Sequence, residues 1–457
     1  MSEMIDIVVD GQSYKVEEGL LLIDLLIKEK IKVPYFCYHE ALGADGNCRM
    51  CMVEIEGQKR PQIACDTIVK KGMEVRSKGE NIEKVRTDIL ELELVNHPVD
   101  CPVCDQAGEC SLQDFYMDYG LHNSKVTIQD KVKHSKHVDL GSNVMLDQER
   151  CVLCARCTRF TDKITHTNEL AIIGRGDDAR VSTMPGRKLD NDYAMNVVDL
   201  CPVGALTSKD FRFSQRVWFL QTVESICQGC AKGCNIYIDH NKIKYQDDVI
   251  YRFRPRENKE VNGFFICDEG RLSYKELQQN RQEVTIVNGE IISQEQGLQK
   301  VNDLIQTYQN SISVIIDANL YTHEIEAILD FAKAINAKVY SPSLVYMDED
   351  FKDDMLKSSN RAANFATIKK LNIDTQEPVN FDLVINFNHP QDFQSSAGIN
   401  FLTHKRSNAG LTFPLAAFSE SEGFLTNEDG IEQKCEKAVD RNTPFPTVVE
   451  YLQRIQS

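Results

Sequence analysis

Residues 151–157 read CVLCARC, a Cys-x2-Cys-x2-Cys triplet. Three thiols at this spacing let one tight loop wrap a corner of a polynuclear iron site, because soft anionic sulfur is the donor such iron binds best. A bacterial ferredoxin run would continue x3-Cys-Pro, but Thr161 stands where that cysteine belongs. The missing Cys-Pro occurs alone at Cys201-Pro202. Two-cluster ferredoxins exchange their fourth cysteines, and no second triplet sits beside Cys201 to trade with. Cys151, Cys154, Cys157 and Cys201 are therefore expected to hold one [4Fe–4S] cluster. The alternative is a structural zinc site, although zinc usually takes two short Cys-x2-4-Cys arms.

Outward from this triplet, fifteen of the sixteen cysteines fall into four groups. Cys227, Cys230 and Cys234, with Cys267 downstream, predict a second [4Fe–4S] site. Cys37, Cys48, Cys51 and Cys65 are spaced like a plant-type [2Fe–2S] run with a longer first loop. Gly43, Gly46 and Asn47 in that loop permit turns that bring backbone N–H groups toward sulfur. The remaining group has three thiols, Cys101, Cys104 and Cys110, in HPVDCPVCDQAGEC (97–110). A fourth donor is needed, and His97 lies four residues upstream of Cys101. A neutral imidazole in place of an anionic thiolate should raise that cluster's potential, as in His-ligated Rieske centres. Zinc stays open as an alternative at the first and fourth groups too, and the bland alternative for His97 is a surface or satisfied core histidine. Cys435 has no ligand residues nearby and reads as a lone thiol.

The 457 residues carry 52 Lys and Arg against 69 Asp and Glu, a net charge of −17. This disfavours nucleic acid or anionic lipid as the main partner and allows a basic protein partner. No apolar run approaches the ~20 residues of a membrane span. The N-terminal MSEMIDIVVDG has no basic or Arg/Ser-rich leader character, so the chain reads as cytosolic. In a reducing compartment clustered cysteines indicate metal or catalysis rather than disulfides.

Residues 5–9 and 12–16 flank Asp10-Gly11 and predict a hairpin, with a helix over Leu20–Lys30. A second helix, Asn81–Asn96, would bury Ile82, Val85, Ile89, Leu92 and Val95 and deliver His97 at its end, before Pro98. After residue 273 apolar strands at 312–316, 338–340 and 383–386 alternate with a helix at 324–335, which implies a parallel α/β domain. Gly174–Ala179 mimics G-x-G-x-x-A, but Asp177 and Asp178 stand where a pyrophosphate would lie, against a dinucleotide site. Arg252, Arg254 and Arg256 form a basic strip of the kind that is usually solvated surface. His134 and His137 read as an exposed loop.

HPVDCPVCDQAGECSLQD (97–114), CVLCARCTRF (151–160) and VDLCPVGALTSKDFRF (198–213) closely resemble the large iron–sulfur subunits, of 75-kDa type, of NADH:quinone oxidoreductase, respiratory complex I. The resemblance covers residues 1–272. It implies an α+β multidomain chain. A β-grasp [2Fe–2S] ferredoxin domain would occupy 1–80. A loop- and helix-rich domain with one His-plus-three-Cys and one four-cysteine [4Fe–4S] site would occupy 81–215. A [4Fe–4S] domain of the molybdenum/tungsten-oxidoreductase type would occupy 216–272. The resemblance implies one [2Fe–2S] and three [4Fe–4S] clusters at the sixteen positions above, with the Cys227 cluster off the main path. It further implies electron transfer from a flavin-bearing partner toward quinone, with no substrate site and no catalytic residue on this chain. FMN and NADH would belong to a partner subunit, and further iron–sulfur and quinone-reducing subunits would follow. Membrane attachment would be through partners only, peripheral on the cytoplasmic side of a bacterial inner membrane.

FPLAAFSESEGFLTNEDGIEQ (413–433) looks like a degenerate molybdopterin-oxidoreductase segment, with Ile431 in place of its usual Arg. Residues 273–457 are thus expected to be a truncated α/β scaffold without molybdopterin. Related chains serve as the diaphorase part of soluble NAD-linked hydrogenases or formate dehydrogenases, the runner-up. A zinc-stapled scaffold without redox activity is the alternative of another class.

Overall fold

The computed structural model describes residues 3–120, 123–379, 381–406 and 410–456. Met1 and Ser2, part of the N-terminal stretch read above, lie outside them. The chain divides into two compact units, Met1–Trp218 and Phe219–Ser457.

The first unit opens with β1 (Met4–Val9) and β2 (Gln12–Glu17), joined through Asp10 (φ 49°) and Gly11 (φ 81°). Two left-handed residues give the turn whose twist suits a two-residue hairpin, as the Asp-Gly pair predicts. Helix α1 (Leu22–Lys28) follows, then β3 (Met52–Ile55), β4 (Gln62–Ile63) and β5 (Glu74–Arg76). The five strands form one mixed sheet in the order β2-β1-β5-β3-β4. Ile5, Ile7 and Val9 alternate onto its inner face and pack against Leu22, Ile23, Leu25 and Leu26 of α1. The core also contains Cys51 and Cys65, so the fold itself buries two of the first group's thiols.

Helix α2 spans Glu80–Leu94. The expected face is corrected here: Leu92 is 74 % exposed and Val95 37 %, while Ile82, Arg86 and Leu90 are buried. The helix is rotated because Arg86 turns inward, donating from Nη2 to the Met52 carbonyl (2.9 Å) and stacking on Tyr119 (5.5 Å). Apolar periodicity cannot anticipate an arginine that caps a strand carbonyl.

Next come α3 (Ser111–Tyr119), β6 (Val138–Asp139), β7 (Val144–Leu146), α4 (Arg156–Lys163), β8 (Leu170–Ile173), β9 (Arg180–Thr183), α5 (Asn196–Leu200) and β10 (Leu206–Ser208). The order β10-β7-β6 makes a small sheet, and β8 pairs with β9 alone. The Gly174–Ala179 segment is the connection of this β8–β9 hairpin, without the strand-to-helix context a dinucleotide loop requires.

The second unit begins with an antiparallel meander, β11 (Gln221–Ile226), β12 (Asn235–Asn241) and β13 (Val249–Pro255). The Arg252–Arg256 strip is corrected too. Arg252 and Arg254 lie on β13 opposite β12 and both pair with Asp239 (2.7 Å each), and Arg256 pairs with Glu224 (3.0 Å).

Short helices α6 (Asp268–Leu272) and α7 (Tyr274–Leu277) lead to a larger layer. It comprises β14 (Ile286–Val287), β15 (Glu290–Ile291), α8 (Gln294–Thr307), β16 (Ile312–Ile316), α9 (Thr322–Ala334), β17 (Lys338–Tyr340), α10 (Phe365–Lys370), β18 (Leu383–Phe387), β19 (Ala397–Leu402) and β20 (Leu411–Pro414). The seven strands run β15-β14-β20-β19-β18-β16-β17, and β17, β16, β18, β19 and β20 pair in parallel. The chain leaves β16 for β17 on one flank and returns to β18 on the other, a topological switch point. The hairpin β21 (Gly423–Thr426) and β22 (Glu432–Cys435) and the terminal helix α11 (Val448–Gln456) complete the unit. Among the described residues no helix is long and apolar enough to cross a membrane.

Candidate metal centres

In the third group, opened by the triplet, Cys154 and Cys157 are buried and Cys151 and Cys201 half-buried. Cys151, Cys154, Cys157 and Cys201 line one small cavity walled by Leu146, Val152, Val181, Val203, Ala205 and Leu206. Leu153 (φ 50°) and Ala155 (φ 58°) both adopt the left-handed conformation, which costs about 1–3 kcal/mol each for residues with a Cβ. The twist turns backbone donors toward sulfur. Leu153 N–H reaches Cys151 Sγ at 3.4 Å, and the N–H groups of Arg156 and Thr158 bond Cys154 and Cys157. The turn after Cys201 supplies the N–H groups of Val203, Ala205 and Leu206 to that sulfur. Burial pushes the Cys154 thiol up to about 12, so only a bound cation would draw its proton off near neutrality.

In the first group the four cysteines are free thiols; the Cys37 sulfur shares hydrogen bonds with those of Cys48 and Cys65, and Cys65 with Cys51. Hydrogen bonds from neighbouring thiols pull Cys37 and Cys51 down and push Cys48 and Cys65 up. Gly43 (φ 73°) and Gly46 (φ 71°) take the left-handed turns expected of the long loop. Phe36 N–H donates to Cys48 Sγ at 3.4 Å, and Gly46 N–H bonds Cys37.

The second group is the looser one. Cys104 is buried beside Cys101, and Cys110 beside Cys104. His97 follows α2, with Lys131 Nζ donating to its carbonyl (2.8 Å). Burial, reinforced by Arg150, Lys131 and Lys136, depresses the imidazole to about 4 and keeps it neutral, the form that ligates. Its Nδ1 accepts from the Val99 N–H at 3.0 Å. A histidine that ligates through Nε2 carries its proton on Nδ1, so such ligation breaks the Val99 contact. Gly204, in the turn after Cys201, closes this group from the other side: a Cβ there would stand 2.3 Å from Cys104 Sγ.

The fourth group lies in the second unit. Cys227, Cys230, Cys234 and Cys267 border a cavity of about 680 Å³. Gly229 and Gly270 N–H groups donate to Cys227 (3.4 Å) and Cys267 (3.3 Å). The cavity runs to the switch point, where Asp317 and Asn388 follow β16 and β18, and outward to exposed Glu269 and Lys275.

The third group stands between the first and the second. Cys154 feels the charge of Cys37, and Cys110 that of Cys201. Sequence reasoning missed Glu93, whose carboxyl burial, then Cys37, pushes up to about 7, and which also faces Cys151. Among the described residues no three His, Cys, Asp or Glu side chains converge as they would on one metal ion. A cluster asks for something else, donors spread over several irons, one on each iron of a [4Fe–4S] centre and two on each iron of a [2Fe–2S] centre, and sets of soft donors with N–H groups on their sulfurs fit it. Cys435 is fully buried at the end of β22, against Ser225 and Tyr321. His134 is half-buried, with its ring bonded to the Asp177 carbonyl, while His137 is exposed as the loop reading expects.

Residues 2–80 match the family described as a 2Fe-2S iron-sulfur cluster binding domain. Residues 86–125 match the NADH-ubiquinone oxidoreductase-G iron-sulfur binding region, and 141–207 the ferredoxin-like domain of NADH-quinone oxidoreductase subunit 3. Residues 220–279 match the molybdopterin oxidoreductase Fe4S4 domain. The NADH-ubiquinone oxidoreductase 75 kDa subunit of Reclinomonas americana is 36 % identical over 380 residues, 79 % of this chain and 53 % of the relative. The corresponding NADH-quinone oxidoreductase chain of Rickettsia bellii (strain RML369-C) is 36 % identical over 313 residues, 66 % of this chain and 44 % of the relative. The chain thus spans about half the length of the curated relatives it matches. A crystal structure of an NAD+-reducing [NiFe]-hydrogenase in the H2-reduced state aligns at 28 % identity and a TM-score of 0.43, over 47 % of this chain and 91 % of that one.

Proposed function

This chain belongs to the family of large iron–sulfur subunits of NADH:quinone oxidoreductase, and from that premise we propose that it is an electron-conducting subunit of the NADH-oxidising arm of such a complex. The observation that carries the reading is the third group: four thiols around one small cavity walled by apolar side chains and Arg156, with backbone donors on their sulfurs and another ligand group on either side. Bound there, iron–sulfur clusters supply reversible one-electron transfer.

The protein's part is to hold and tune. Cys37, Cys48, Cys51 and Cys65 would hold [2Fe–2S] in a β-grasp domain over 1–80. His97, Cys101, Cys104 and Cys110, and Cys151, Cys154, Cys157 and Cys201, would hold two [4Fe–4S] centres within 81–215. Cys227, Cys230, Cys234 and Cys267 would hold a third within 216–272, off the main path. N–H groups on sulfur stabilise added negative charge, and the apolar walls keep water out. We assign flavin and NADH to a partner subunit and quinone reduction to others, on the cytoplasmic side of a bacterial inner membrane. Residues 273–457 serve as a scaffold without molybdopterin.

Iron and sulfide analysis with EPR of the reduced protein tests this. One [2Fe–2S] and three [4Fe–4S] centres give about fourteen irons per chain, whereas stoichiometric zinc without iron would end the reading. At the second group, His97→Cys should retain the centre at a lower potential, because a thiolate adds negative charge, and His97→Ala should loosen or lose it. Unchanged spectra in both variants would remove His97 from the ligand set.

A further inference from the structure

Helix α4 starts inside the Cys151 triplet and carries two buried arginines, Arg156 and Arg159, each 8 % exposed. Both reach across to the loop that carries Cys37. Arg156 donates from Nη2 to the Tyr38 carbonyl (2.6 Å) and from Nη1 to the Leu200 carbonyl (3.1 Å), next to Cys201. Its Nε is buried without a hydrogen-bond partner. Arg159 donates from Nη1 to the carbonyls of Gly43 (2.9 Å) and Leu42 (3.3 Å), and from Nη2 to that of Cys37 itself. Asn47 completes the seam from the other side, its Nδ2 donating to the Leu153 carbonyl at 3.0 Å.

The charges on this seam do not balance. Two guanidinium groups that never deprotonate are buried, and the carboxylate recorded within ion-pair distance among the described residues is that of Asp45, 3.9 Å from Arg159 and exposed to solvent. Carbonyls satisfy N–H groups but do not cancel net charge, and a buried charge without a counter-charge is costly. What lies on both sides of the pair is a set of four thiol ligands, which become anionic when they bind iron.

We infer that Arg156 and Arg159 are positioning residues shared by the first and third ligand groups: they lock the Cys37 loop onto the Cys151 helix and act as common counter-charge to both centres. This rests on the reading that both groups hold clusters. A cation held between two anionic centres favours the reduced, more negative state of each. Removing it should therefore lower both potentials together and leave the second group's centre as an internal reference.

The test is redox titration followed by EPR on the full chain within its purified complex, comparing Arg156→Gln and Arg159→Gln with Arg156→Lys and Arg159→Lys. The Gln variants should shift the first- and third-group midpoints downward together. The Lys variants, which keep the charge but lose the fork geometry, should restore most of the shift while weakening the magnetic interaction between the two centres. If Gln variants lose iron, joint loss from the first and third groups that Lys repairs supports the shared role. Loss confined to the third group overturns it. Full iron with both midpoints unmoved in the Gln variants also overturns it and leaves the proposed function standing, whereas an iron-free wild type defeats that function instead.

Discussion

Gly204→Ala should strip the second ligand group of its centre while the first and fourth stay loaded. Gly204 needs no unusual backbone conformation; its constraint is space. An added Cβ would lie 2.3 Å from Cys104 Sγ and 3.0 Å from Gln106 Cβ. The first is far inside contact distance, and a ligating sulfur has no freedom to retreat. Arg150 blocks escape on one flank, 3.7 Å away and itself bonded to Asp100 through both Nε and Nη2 (2.9 and 2.8 Å). The expected outcome is loss of about four irons per chain together with the second-group EPR signal. Full iron and an unaltered signal would show that Cys104 is not a ligand or that this turn moves freely.

Asp239→Ala should destabilise the second unit by about 3–5 kcal/mol, the cost of removing one partner from a buried ion pair. Asp239 is 1 % exposed and accepts from Arg252 Nε (2.7 Å), Arg254 Nε (2.7 Å) and Nη2 (3.0 Å), and Thr222 Oγ1 (2.7 Å). Without the carboxylate, two guanidinium groups side by side on β13 lose the counter-charge that β12 supplies. Asp239→Asn should behave almost as badly, because an amide accepts hydrogen bonds without neutralising charge. Denaturant unfolding of both variants followed by circular dichroism measures this, and a loss below about 1 kcal/mol would mean the arginines find water instead. The pH dependence follows from the same contacts. Burial works to raise this carboxyl, but Arg254, Arg252 and Thr222 outweigh it and hold it at about 2. A carboxyl with its folded-state pKa depressed stabilises the fold above the ordinary carboxylate range, so this contribution is complete above about pH 4 and fades as pH falls toward 2. In Asp239→Ala that acid-sensitive component should vanish.

The grouping of the cysteines was legible in the sequence because the ligand chemistry expected of them is strict: thiolates and an occasional imidazole suit such iron, and they must recur at spacings a loop can close. The β1–β2 hairpin was equally plain, since Asp10 and Gly11 are the residues its turn demands. The parallel layer could be read from apolar runs such as Ile312–Ile316, buried on both faces. What stayed hidden was the work of charged side chains. Arg86, fully buried, turned α2 away from its apolar periodicity. Arg252 and Arg254 looked like surface because their partner, Asp239, belongs to another strand. Arg156 and Arg159 stood inside the most informative motif, yet nothing local reveals that their partners are carbonyls 118 and 116 residues upstream. Glu93 gave no signal at all, for its neighbours Cys37 and Cys151 come from distant segments.

The chamber of about 680 Å³ beside Cys227, Cys230, Cys234 and Cys267, which reaches exposed Glu269 and Lys275, differs from the small pocket around Cys151 in how much solvent it can admit. Liquid that can reorient near a charge must do so each time the charge changes, whereas fixed dipoles and alkyl walls barely move. Bound at both places, the same four-sulfur chemistry would meet two surroundings within one polypeptide: a small, mostly alkyl one beside Cys151 and a larger one that solvent can enter beside Cys227.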